Sequence, residues 1–115
     1  MRIRIDPLDR LCSQYIRLRD GGICQRCGGE GNQTAHFHGR AKRSTRWDSE
    51  NSCLLCFGCH IYFHSHPLEH VEFFKERLGE SYDLLNIRSR TIGKPDKALL
   101  TIYYTQKVKE LLEER

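Results

Sequence analysis

Apolar positions near the start of the chain recur three or four residues apart, at Leu8, Leu11, Cys12, Tyr15 and Leu18. That spacing lines one face of a helix. Asp6-Pro7 marks its start, an N-cap oxygen followed by a proline whose missing N–H costs nothing at the first helical position, and Asp20-Gly21-Gly22 marks its end. From Cys24 to about Cys59 the helical period disappears and Gly, Ser, Thr, Asn and Arg crowd the chain. Two short strands are expected there, Thr34 to Phe37 and Cys53 to Leu55. His60-Ile61-Tyr62-Phe63-His64 fits one helical turn with His60 and His64 on a shared face. Pro67 restarts the chain, and Leu68, Val71, Phe74 and Leu78 predict a helix closed by Gly79. Ser81 to Arg90 reads as a short helix. Lys94-Pro95-Asp96 then begins a last helix, with a stripe of Leu100, Tyr104, Val108 and Leu111, running towards Glu114. Such a stripe packs on its own domain or on a second copy, which leaves a homodimer open.

At 115 residues, 38% hydrophobic and 30% charged, the chain reads as a single domain over 1–115, with a core motif over 24–66 and a helical extension over 67–115. No apolar run approaches the ~20 residues of a membrane span, so no membrane partner is expected. The opening MRIRIDPLDRL lacks the apolar stretch of a secretion signal, which points to a reducing cytoplasm. In that compartment paired cysteines favour metal over disulfide.

Cys24, Cys27, Cys56 and Cys59 form two CxxC pairs, and all six histidines fall between His36 and His70. Each CxxC turn aims two sulfurs at one point, so the pairs together can surround a tetrahedral zinc with Zn–S bonds of ~2.3 Å. Cys12 has no CxxC partner and reads as core. The net charge of +4 is modest, but Arg40, Lys42, Arg43 and Arg46 concentrate it beside the histidines. These four are the candidate contacts to DNA phosphates. Pairing of Arg40 and Arg46 with Asp48 or Glu50 is the competing reading, and Trp47 is assigned to packing before stacking on DNA. His66 and His70 read as ordinary helix-start and helix-surface residues.

The segments IRLRDGGICQRCGG, AHFHGR, TRWDSEN and CLLCFGCH resemble the HNH, or ββα-metal, nucleases, and among them the NinG-type phage recombination nucleases and zinc-containing phage HNH enzymes. The resemblance covers roughly residues 9–65. It implies a small α+β fold, a ββα-metal motif on a four-cysteine zinc site flanked by an N-terminal helix and C-terminal helices. It further implies a metal-dependent endonuclease that nicks or cuts double-stranded or branched DNA, in a bacterial or phage-encoded cytoplasmic protein. In such a protein Cys24, Cys27, Cys56 and Cys59 hold structural Zn²⁺, and a separate Mg²⁺ or Mn²⁺ serves catalysis. His36 corresponds to the general base, Asn51 to the residue that pins its loop, His60 to a metal ligand and His64 to a second one. Many members carry an Asp or His ligand just before the base, where this chain has Ala35. Either His38 replaces it, on the same strand face as His36 if the strand continues, or His36 itself ligates and a different group acts as base; the first, with His38, His60 and His64 around the ion, is the preferred reading. A nitrogen-rich set of that kind favours Mn²⁺ over Mg²⁺. The alternative function is a non-catalytic zinc-ribbon module that binds nucleic acid through the cysteine scaffold and the arginines alone.

Overall fold

Asp6 accepts a hydrogen bond from the Leu8 amide at 2.9 Å, and Pro7 opens α1 (Pro7–Arg19). The structure is a computed structural model describing residues 5–114, so residues 1–4, on which the leader reading partly rests, lie outside it, as does Arg115. After α1 come β1 (Gln33–His36), α2 (Arg43–Arg46), a 3-10 turn (Ser49–Asn51), β2 (Ser52–Leu55), α3 (Phe57–Ser65), α4 (Pro67–Leu78), α5 (Ser81–Ser89) and α6 (Lys97–Glu113). The fold is a small α+β arrangement. Among the described residues no helix is long and apolar enough to cross a membrane.

β1 and β2 pair antiparallel, with Ala35 opposite Cys53 and His36 opposite Ser52. Alternation along the strands then separates two faces. Ala35, Cys53 and Leu55 enter a core with Cys24, Cys59, Phe63 and Phe74, which joins the hairpin to α3 and α4. His36, the last residue of β1, belongs to the opposite alternation. A second cluster of Leu8, Trp47 and Tyr104 joins α1 to α6, with Leu11, Cys12, Tyr15 and Leu100 around it. The Tyr104 hydroxyl donates to the Trp47 carbonyl. Trp47 is therefore a packing residue, and α6 packs on α1, while Leu99, Ile102 and Leu112 on its other side are exposed.

Polar anchors tie α1 to the hairpin. The Asp20 carboxylate accepts from the Leu54 amide at 2.9 Å, from Arg19 Nε at 2.9 Å and from Arg77 at 3.3 Å. Arg19 also donates to the carbonyls of Ser49 and Ser52, each at 2.8 Å. Gly31 permits this closeness, since a Cβ there would meet Leu54 Cγ at 2.8 Å and the Cys24 nitrogen at 2.9 Å.

Two expectations need correction. The segment 43–51, read as loop, contains α2 and the 3-10 turn, whose N-cap Asp48 accepts from the Glu50 amide. On α4 the second half of the expected stripe holds, with Phe74 buried and Leu78 packed on the core, but Leu68 and Val71 are exposed and His70 packs inward on Phe37, Phe63 and Phe74 in their place. The imidazole, flat and apolar on its faces, takes the place that the pattern assigned to an aliphatic side chain.

Candidate metal centre and histidine cavity

Cys24 and Cys27 stand on a tight turn after α1, closed by the Ile23–Glu30 bridge and by Gly28 at a positive φ of 81°. Cys56 caps α3, its sulfur accepting from the Cys59 amide at 3.4 Å, and Cys59 lies in the first turn of that helix. The four sulfurs all lie within 4.8 Å of one another. A tetrahedron with ~2.3 Å bonds has edges of about 3.8 Å, and Cys27 Sγ and Cys56 Sγ are 3.8 Å apart. The donor set thus fits a closed structural zinc site.

Charge distribution around the sulfurs supports the same assignment. Burial opposes ionisation of Cys24, but main-chain hydrogen bonds at Cys27, Cys56 and Arg26 outweigh it and bring the thiol down to about 6. Burial pushes Cys59 up to about 12; the three neighbouring sulfurs add to this, while Arg26 acts against it. A bound cation would favour the thiolate at Cys59, which burial and its neighbours oppose. Arg26 offsets part of the excess negative charge, donating to Cys59 Sγ at 3.4 Å while its guanidinium lies over the Tyr62 ring at 4.0 Å. Cys12 and Cys53, which burial also pushes up to about 12, do not belong to the cluster.

A cavity of about 60 Å³ lies against the hairpin, lined by Ala35, His36, Leu55, His60, Phe63, His64 and His70. It shares His36, His60 and His64 with a wider cleft of about 700 Å³ whose walls include Arg10, Arg17, Arg40 and Arg46. α3 brings His60 and His64 together, their ring centroids 4.9 Å apart, one helical turn from the second CxxC pair. Among the described residues only the four cysteines converge closely enough to form a ready-made set of three or more donors. The histidines share a cavity and face it without that convergence.

Asn51 holds the loop after β1. It is fully buried; its Oδ1 accepts from the His38 amide at 2.8 Å, and its Nδ2 donates to the His38 carbonyl at 2.9 Å and the Thr45 carbonyl at 3.1 Å. The Phe37 amide adds a bond to the Asn51 carbonyl at 2.8 Å. His36 is thereby fixed at the end of its strand. Burial and the nearby Arg40 charge lower its pKa below the ordinary imidazole value, against opposing contributions from Asp9 and a main-chain bond at Arg46. Burial and His64 likewise lower that of His60.

Several predicted site residues lie elsewhere. β1 ends at His36, so the alternation that would bring His38 beside it does not continue. His38 Nε2 instead meets Asn86 Oδ1 of α5 at 2.8 Å. Of the four predicted basic contacts, Arg40 and Arg46 line the cleft, Arg43 lines a separate groove beside α6, and Lys42 is exposed. Arg40 and Arg46 pair with Asp9, which also accepts from Trp47 Nε1 at 2.8 Å. Asp48 and Glu50, the expected partners, are bound by Arg88 at 2.6 and 2.7 Å. Burial raises the Asp9 pKa, but Arg46, Arg40 and Trp47 overcome it and hold the carboxyl at about 2. Arg10, Arg17 and His70 were not anticipated at the site. Positions 10, 13 and 17 share one face of α1, and that spacing was the available signal for the two arginines.

No protein-family model, curated protein or solved structure matches the chain. The four-cysteine cluster and the α+β fold therefore stand on the geometry alone.

Proposed function

We propose that this chain is a metal-dependent HNH-type endonuclease that hydrolyses DNA phosphodiester bonds. The observation that carries the reading is the meeting of His36 with His60 and His64 in one cavity, the same three residues also lining a wider cleft with four arginines. A zinc ribbon that only bound nucleic acid would have no use for that grouping.

In this reading the cysteines hold zinc as scaffold, because a four-sulfur site leaves no open position for water or substrate. His60 and His64 would hold a catalytic divalent ion, which when bound supplies Lewis acidity to the scissile phosphate and leaving oxygen. His36, neutral at pH 7 because of its lowered pKa, takes the proton from the attacking water. Asn51 keeps that ring in place through the loop it clamps. Arg10 and Arg17 have no acidic partner among the described residues and are available to phosphates, whereas Arg40 and Arg46 must share theirs with Asp9. His38 receives no ligand role.

Supercoiled plasmid incubated with Mg²⁺ or Mn²⁺ tests the proposal. Wild type should nick it, and His36→Ala, with zinc and fold retained, should be slower by about 100-fold or more. Absence of cleavage by wild type with either ion, alongside intact DNA binding, would favour the non-catalytic zinc-ribbon module.

A further inference from the structure

Apart from His36, the proposed base, the histidines divide into two groups by how their ring nitrogens are satisfied. His38 and His66, outside the cavity, are both engaged: His38 Nε2 with Asn86 Oδ1, and His66 Nδ1 with the Tyr62 carbonyl, each at 2.8 Å. His60, His64 and His70 all line the cavity, and among the described residues no hydrogen bond occupies a ring nitrogen of any of them. His60 and His70 are half-buried and His64 is exposed; a half-buried imidazole without a partner usually has one supplied from outside, by water or a metal.

His70 is held for such a role. Its ring stacks on Phe63 at 5.0 Å between centroids and meets the edges of Phe37 and Phe74, each at 5.3 Å. Three aromatic contacts from β1's following loop, α3 and α4 fix the ring's plane, leaving few orientations for its nitrogens. Ala35, a methyl group that can ligate nothing, is 2% exposed and lines the same cavity. The cavity's roughly 60 Å³ is enough for an ion and a small number of waters.

We infer that His70 is a metal ligand, completing with His60 and His64 a three-imidazole site for a divalent cation in which α4 supplies the donor that position 35 lacks. The assignment rests on the nuclease reading for the roles of His60 and His64. It makes the site richer in nitrogen than an oxygen-based Mg²⁺ site, so it should take Mn²⁺ in preference to Mg²⁺. It also gives α4 a functional part, because the helix carrying His70 must stay docked on the hairpin for the three rings to reach one ion. Modest rotamer changes at His60 and His64 would draw the donors together when a cation enters.

The test uses the full chain with its zinc content verified, Mn²⁺ alone as probe, and no DNA. Binding is followed by titration, and ligation by pulsed electron paramagnetic resonance, which detects imidazole nitrogen coupled to Mn²⁺. His70→Phe retains an aromatic ring for Phe37, Phe63 and Phe74 to pack on. It should weaken Mn²⁺ binding by about tenfold or more and reduce the nitrogen coupling. If that variant loses zinc, His70→Gln is read in the same way. Unchanged affinity and coupling in the variant would overturn the inference and leave the nuclease reading intact on His60 and His64. A wild type that binds no Mn²⁺ would overturn it as well, while Mg²⁺-dependent plasmid nicking decides the nuclease reading separately. Mn²⁺ bound through His70 without any plasmid cleavage would uphold the site and remove the hydrolytic role.

Discussion

At the scale of single residues, His36 is set by a balance between burial and charge. Burial and the Arg40 guanidinium disfavour its protonated form, and together they outweigh Asp9 and the bond at Arg46. Because a general base must be neutral, its active fraction rises with pH and reaches its plateau sooner than a free imidazole of pKa about 6.5 would. At saturating Mn²⁺, the acid limb of kcat/KM for DNA cleavage should therefore be centred below 6.5. Arg40→Ala, which removes one opposing charge, should move the midpoint up towards that value, and a wild-type limb centred above 6.5 would exclude His36 as the base. Residue identity made part of this arrangement legible. Cysteines two residues inside a CxxC turn and histidines one helical turn apart bring their neighbours with them, whatever the rest of the fold does. Asp9 and His70 were illegible because each reaches the cleft or cavity from a different element, and nothing local marks such a meeting. His38 was misplaced for a related reason: period-two reasoning holds only while the strand lasts, and β1 stops at His36.

Among elements, the long helices were the most legible. α1 and α6 each have a start residue whose side chain binds the first turn, Asp6 and Asp96, followed by apolar positions at helical spacing. α2 and the 3-10 turn span too few residues for any period to develop, and on α4 the expected stripe held at Phe74 and Leu78 but not at Leu68 and Val71. The sequence contained no sign of how α1 attaches to the hairpin, because that attachment is made across the fold by the buried Asp20 carboxylate and by Arg19. Asp20, its side chain 4% exposed, holds the Leu54 amide and two arginines at once. Asp20→Ala would leave that amide and the Arg19 guanidinium short of a partner, at an expected cost of about 3 kcal/mol in denaturant unfolding. Arg77→Ala removes the longer contact to Asp20, at 3.3 Å, together with a bond to the exposed Gln25 side chain, and should cost about 1 kcal/mol or less. Similar losses in the two variants would mean that Asp20 is not the anchor.

For the molecule as a whole, the two cores are linked by the chain between the knuckles. Zinc at the four cysteines would fix both ends of residues 28–55, and that segment carries His36 to the histidine cavity, Asn51 to the loop behind it and Trp47 to the cluster with Leu8 and Tyr104. Trp47 contacts no sulfur ligand, yet its position depends on a loop whose ends the metal holds. Losing zinc should therefore disturb both cores together. Two chelation experiments separate the metals. A weak chelator that removes only the labile cation should abolish cleavage and leave Trp47 emission and thiol reactivity as they were. Stripping zinc with a thiol-directed mercurial or a strong chelator should expose the four thiols and shift Trp47 emission to the red in a single transition, because releasing the loop ends also frees the polar anchors that seat α1. Thiol exposure with Trp47 still buried would mean that the α1–α6 cluster stands independently, with the zinc site organising only the hairpin and α3.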